Sequence, residues 1–135
     1  YEMIKSIKRA SKTINKNLKV LGVTILTSFS SSSIKKIGYT KSIKDLVKKQ
    51  TALAKSARLD GIVCSGYEAK LLKKICKKMD IITPGIRFEG DSPGDQKRVM
   101  TPKEAFKNGA TAIVLGTSIT KGNIKSNIQK LIKSL

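Results

Sequence analysis

The chain has 135 residues, with 28 Lys or Arg against 9 Asp or Glu, a net charge of +19 and no His. Hydrophobic residues make up 39% of it, enough for a packed core, which excludes a disordered polyelectrolyte in spite of the charge. The lack of His, and two cysteines (Cys64 and Cys76) that form no CxxC pair, exclude the usual zinc sites.

Met3, Ile4, Ile7, Ala10 and Ile14 fall at helical spacing with Lys between them, and predict an opening helix. Lys19 to Leu26 reads as a buried strand, rich in Val, Leu and Ile. Its apolar run, Val20 to Leu26, is about seven residues against the ~20 needed to span a bilayer, so no membrane segment is expected. A Ser-rich loop follows, Ser28 to Ser33. A second helix is predicted from Ile43 to Ala57, with Ser42 and Asp45 at capping-box spacing. Its apolar face is Ile43, Leu46, Val47, Leu53, Ala54 and Ala57. Gly61 to Cys64 is the next strand. Ser65 and Glu68 read as another capping box, opening a helix with Leu71, Leu72, Ile75, Cys76 and Met79 inward. Asp80 to Thr83 is a third strand, entering a loop rich in Gly, Pro and acid from Pro84 to Gly94. Thr101, Pro102 and Glu104 supply an N-cap, an N1 proline and an N3 acid. The helix they open carries Ala105 and Phe106 and ends near Gly109. Ala112 to Leu115 is a fourth strand, closed by Gly116. The last helix starts around Asn123 and is expected to bury Ile124, Ile128, Leu131 and Ile132.

A helix followed by four strands, each leading into a helix, is an α/β pattern. Apolar strands joined by crossover helices mean a parallel sheet. No linker or longer repeat divides residues 1–135. In such folds the chemistry sits at the C-terminal ends of strands. Those ends are Leu26-Thr27-Ser28, Cys64-Ser65, Thr83-Pro84-Gly85-Ile86-Arg87 and Leu115-Gly116-Thr117-Ser118. Hydroxyls, glycines and a guanidinium are the parts of a phosphate or sugar-phosphate site. Taken singly, each reads as well as a cap, a turn or a surface Arg. Their shared placement points to an anion-binding β/α protein, and the positive charge steers anions toward it. A nucleic-acid binder is disfavoured. The excess charge is almost all Lys, with only Arg9, Arg58, Arg87 and Arg98 as Arg. Aromatics are 4%, too few for stacking platforms, and Lys is spread over every helix. Cys64 and Cys76 lie in apolar runs and are expected to be reduced core residues of a cytoplasmic protein.

The segment ITPGIRFEGDSPGDQKRVMT, Ile82 to Thr101, resembles the strand-seven loop of the orotidine 5′-phosphate decarboxylase family. There TPGIR, a variable stretch, GDQ and R-x-x-T-P follow one another. LGVTILTS, ending at Ser28, resembles the family's fifth strand. LDGIVCSGYEA, Leu59 to Ala69, resembles its sixth, and ATAIVLGTSIT, Ala110 to Thr120, its eighth. The resemblance runs through the whole chain in order. It implies a partial TIM-type (β/α) barrel of four parallel βα units, a C-terminal half-barrel with strands five to eight. It also implies a lyase reaction, orotidine monophosphate to uridine monophosphate and CO₂ in pyrimidine synthesis, with no cofactor and no metal. The implied substrate contacts are Arg87 on the phosphate, Gln96 on the ligand, Thr27 near the pyrimidine, and Gly116 with Thr117 at the eighth strand end.

Two departures alter the expectation. The family normally has Arg after that Gly, where this chain has Thr117. Losing a charge-assisted contact costs roughly 1.5–3 kcal/mol, or ~10–100-fold in affinity; nearby Lys121 is a candidate for partial compensation. The family's D-x-K-x-x-D motif, whose carboxylates crowd the substrate carboxylate and whose Lys protonates the ring carbon, does not occur here. Asp95-Gln96-Lys97 runs on into Arg98, Val99 and Met100. A full barrel takes ~250 residues, and the first residue is Tyr1 instead of Met. The expectation is therefore a cropped, processed or split product that does not decarboxylate alone. Its open sheet edges call for a complementary N-terminal half or a second copy. Two other readings stay open: a non-catalytic phosphate or nucleotide binder, and a basic nucleic-acid-binding protein.

Overall fold

The computed structural model describes all 135 residues. Helix α1 (Glu2–Ile14) precedes four strands: β1 (Leu21–Val23), β2 (Gly61–Val63), β3 (Asp80–Thr83) and β4 (Ala112–Ile113). They form one parallel sheet in the order β1-β2-β3-β4. Gly22 pairs with Ile62, Ile62 with Ile81, and Thr83 with Ile113. Helices α2 (Ser31–Lys36) and α3 (Ile43–Ser56) lie between β1 and β2. Helix α4 (Gly66–Ile75) follows β2, α5 (Pro102–Lys107) follows β3, and α6 (Thr117–Thr120) and α7 (Ile124–Ser134) follow β4. Every strand thus returns parallel to its neighbour through a helical crossover, the arrangement of a partial TIM-type (β/α) barrel.

The core lies between the two central strands and α3 and α4. Val47, Ile62, Ala69, Leu72 and Ile81 are fully buried there. At about 1.5–3 kcal/mol for each buried Val, Leu or Ile, this layer dominates the packing energy. A smaller cluster, Ile86, Ala105 and Ala110, seats α5 against the end of β3.

Capping follows the local sequence in part. Thr101 and Glu104 make the reciprocal capping box, with Pro102 at N1. The Ser42 hydroxyl accepts the Asp45 N–H at 3.1 Å. Ser65 caps through the Tyr67 N–H instead of that of Glu68, whose carboxylate is engaged elsewhere. The Ser-rich stretch expected as a loop contains α2, because Ser30 and Ser33 cap each other reciprocally and Ile34 anchors the turn in the core.

The larger corrections concern the flanks. The expected strand from Lys19 to Leu26 is regular only over Leu21–Val23, and Ala112 to Leu115 shortens to two residues. The apolar face expected to be buried on α7 is largely open, and on α1 only Ile4 packs against the core. Met3 is 71% exposed, Ile14 84% and Ile132 67%, and Ile7, Ile124 and Ile128 are also open. Leu131 is half-buried. On the edge strand, Val23 is 61% exposed. Leu53 and Phe106, also assigned inward or to the packing helix, are exposed. Amphipathic spacing states which face of a helix is apolar; it does not state what covers it.

At the N-terminal end of the sheet Asp60 ties three elements together. Its carboxylate accepts the Val20 N–H at 2.7 Å and the Lys8 ammonium of α1. Burial pushes its carboxyl up, but the Lys8 ammonium and the Val20 N–H outweigh that and hold it below the ordinary carboxylate value. No helix is long and apolar enough to cross a membrane.

Candidate functional site

The loops leaving β1, β3 and β4 converge on a cleft of about 420 Å³ at the C-terminal ends of the strands. Thr27, Arg87, Gln96, Gly116 and Thr117 all line it. The structure therefore brings the five sequence-predicted site residues together. The cleft has two characters. Val23, Ile25, Leu26, Val63 and Val114 form an apolar wall, while Arg87 and Asp95 are the only lining side chains with a formal charge at neutral pH. A flat ring suits the first part and an anion the guanidinium of the second.

Side chains and backbone together hold the polar groups. Thr27 is buried; its hydroxyl donates to Oε1 of Gln96, and its carbonyl accepts the Lys97 N–H at 3.1 Å. The Gln96 amide donates onward to Asp95 Oδ2 at 2.8 Å. Arg87 donates to the carbonyls of Ile86 at 2.9 Å and Pro93 at 3.3 Å, and stands 3.8 Å from Asp95. Those two carbonyls occupy two of its five N–H groups, so the others remain for a ligand. Gly85 permits this geometry. Its φ is +74°, and a Cβ there would lie 2.9 Å from the Arg98 carbonyl and 3.3 Å from Thr27. Gly116 has a different reason: nothing lies within 4 Å of where its Cβ would be, so close backbone packing does not explain it.

Sequence reasoning missed the residue that ties these loops together. Arg98, given no site role in the sequence, donates to Glu68 at 2.6 Å and to the carbonyls of Ile25 at 3.0 Å and Leu26 at 3.2 Å. One guanidinium thus joins the β3 loop, α4 and the end of β1. Arg98 and Glu68 side chains are only 11% and 9% exposed. Burial pushes the Glu68 carboxyl above its ordinary value, with the Arg98 charge pulling the other way. Cys64, in the cleft wall, has its thiol pushed up to about 12 by burial and by the nearby Glu68 charge, against Arg98. It stays protonated at neutral pH and is no nucleophile. The cleft is equipped to bind and orient an anionic ligand with an apolar ring.

Comparison with known proteins agrees with this geometry. The family model described as Orotidine 5'-phosphate decarboxylase / HUMPS family matches residues 1–129. The orotidine 5′-phosphate decarboxylase of Coxiella burnetii (strain RSA 493 / Nine Mile phase I) is 46% identical over 112 residues, 82% of this chain and 48% of that protein. That of Buchnera aphidicola subsp. Schizaphis graminum is 43% identical over 130 residues, 96% of this chain and 54% of its own length. The chain thus spans about half the length of the curated relatives it matches. The crystal structure of the Lactobacillus acidophilus orotidine 5′-phosphate decarboxylase superposes with a TM-score of 0.78 at 30% identity, covering 98% of this chain and 57% of that one. The Methanocaldococcus jannaschii enzyme, complexed with inhibitor BMP, shares the fold at a TM-score of 0.69 and 20% identity, covering 98% of this chain and 55% of that one. A single family model running through all four βα units, with relatives above 40% identity, settles the kinship: this chain belongs to the orotidine 5′-phosphate decarboxylase / HUMPS family.

Proposed function

We propose that this chain supplies the phosphate- and pyrimidine-contacting part of an orotidine monophosphate site, in a cytoplasmic protein that releases CO₂ to give uridine monophosphate. The observation that carries the reading is the convergence of Thr27, Arg87, Gln96, Gly116 and Thr117 on one cleft. Arg87 takes the phosphate as a charge-assisted donor, and Gln96 and Thr117 add neutral donors. Thr27 and the apolar wall face the pyrimidine. Holding the phosphate, remote from the reacting carboxylate, turns binding energy into orientation of the ring. The cytoplasmic setting rests on two free, buried cysteines, Cys64 and Cys76.

Loss of CO₂ leaves an electron pair on the ring carbon that must receive a proton. The cleft's ionised groups are Arg87 and Asp95, and D-x-K-x-x-D is absent from these residues. On this reading the chain does not turn over alone, and the Lys and Asp groups come from a complementary βα half. Such a half, or a second copy, would also cover the open edges at β1 and β4.

Calorimetric titration tests the reading. Uridine monophosphate is expected to bind more tightly than uridine, with Arg87→Met weakening the nucleotide at least tenfold. Equal affinity for nucleotide and nucleoside would sink it. Orotidine monophosphate is expected to persist with the chain alone; turnover would overturn the division of labour. Nucleotide binding without turnover, even with a complementary half present, would favour a non-catalytic binder.

A further inference from the structure

Beside the cleft, sharing Arg87 and Thr117 with it, lies a recess of about 200 Å³. Its walls come from the loop after β3, from α6 and α7, and from the turn between them. They carry three cations, Arg87, Lys121 and Lys130, against one carboxylate, Asp91. Asp91 is already engaged. One oxygen accepts the Ser118 hydroxyl at 2.7 Å and the Phe88 N–H at 3.3 Å, and Lys130 Nζ stands 4.0 Å from the other. Lys130 is steadied from a second side as well. Its ammonium lies 4.5 Å from the centroid of the Phe88 ring, and Phe88 is buried and therefore fixed. Asn127, one turn earlier on α7, donates to the carbonyls of Ile119 and Lys121, both at 2.9 Å, and so fastens α7 to α6 and the turn beyond it.

We propose that Lys130 is a specificity-determining residue that, with Arg87 and Thr117, seats a phosphate monoester dianion at the polar end of the cleft. The inference rests on the reading that the cleft takes a nucleoside monophosphate, and it assigns the second cation that this reading leaves open. Three cations line the recess against Asp91, with Asp95 3.8 Å from Arg87; the positive excess that remains suits a phosphate monoester of about −1.5 to −2 at neutral pH. Thr117 brings a hydroxyl without charge, so recognition of charge falls to Arg87 from the β3 loop and Lys130 from α7. Two cations on separate elements discriminate phosphate from a neutral sugar hydroxyl. A Lys held between a ring and a carboxylate loses less freedom on binding than a free one.

The test is titration of inorganic phosphate, uridine monophosphate and uridine into the full chain, followed by calorimetry and by amide NMR shifts at Thr117 and Ser118. Lys130→Met is expected to weaken phosphate and nucleotide about tenfold and leave uridine unchanged. Lys130→Arg is expected to restore most of the loss, which separates charge from folding. Lys133→Met, elsewhere on the same helix, is expected to change neither. A Lys130→Met chain that binds the nucleotide like the parent, or loses nucleotide and uridine alike, overturns the inference. Failure of the nucleotide reading looks different. Phosphate would then still shift Thr117 and Ser118 in a Lys130-dependent way, with the nucleotide binding no better than phosphate, and the anion seat would stand.

Discussion

The hydroxyl of Thr27 donates a hydrogen bond to the side-chain carbonyl of Gln96, joining the loop after β1 to the loop after β3. Neither loop has a regular ladder at that point, so this contact, the Lys97 N–H bond to the Thr27 carbonyl and the Arg98 bonds to the Ile25 and Leu26 carbonyls set their spacing across the cleft. Thr27→Val keeps the shape and removes the donor. It is expected to cost about 1 kcal/mol of stability and to weaken uridine monophosphate several-fold, as read by thermal denaturation and calorimetry. Undiminished affinity would show that the Arg98 bonds to Ile25 and Leu26 hold the loops without the Thr27 hydroxyl.

The buried Arg98–Glu68 pair carries a larger expectation. Arg98→Met strands the Glu68 carboxylate and frees the carbonyls of Ile25 and Leu26. Breaking one side of a buried pair costs about 3–5 kcal/mol. The loss should grow with pH, because the orphaned carboxyl takes up a proton under acid conditions and sheds its charge. In the parent chain Glu68 is already raised above its ordinary 4.5. The folded state therefore binds this proton more firmly than the unfolded state, and the group's contribution to stability falls as pH rises above that value. Urea unfolding of the parent, Arg98→Met and Glu68→Gln across pH 4 to 8 reads both effects. An Arg98→Met cost independent of pH would rule out the buried charge as its source.

Asp60 has the opposite sign. Its carboxyl is held below its ordinary 3.8, with the Lys8 and Val20 contacts outweighing burial. Its stabilisation is complete above that value and is lost as pH falls through the depressed one. Asp60→Asn is expected to cost about 1–2 kcal/mol at neutral pH and to flatten the acid limb of a melting curve recorded between pH 2 and 6. An unchanged acid limb would assign the sensitivity to another carboxylate.

The open faces predict association. Met3, Ile7 and Ile14 on α1, Val23 on the edge strand, and Ile124, Ile128 and Ile132 on α7 are exposed. Apolar surface and unpaired strand edges of this kind pair with another chain or aggregate. Light scattering of the purified chain is expected to give a concentration-dependent mass. A monodisperse monomer with a cooperative melt would contradict this.

The sequence alone was enough for whatever is decided within a few residues. Apolar runs marked Ile62 and Ile81 as strand positions, Thr101 and Glu104 marked a helix start, and the end of the third strand placed Arg87. These signals are local, because helix period, cap chemistry and turn glycines act over one or two turns of chain. The tertiary structure decided the rest. Glu68, spaced like a capping residue, pairs instead with Arg98, 30 residues away, because folding brings that guanidinium into the same buried place. The Ser30–Ser33 cap yields a helix only because Ile34 has a core to enter. Lys130 looks like any other lysine in a lysine-rich helix until Phe88 and Asp91 are placed beside it. Apart from Ile4, the apolar faces of α1 and α7 have the spacing of buried ones and yet are largely open, because burial depends on a partner surface and not on spacing.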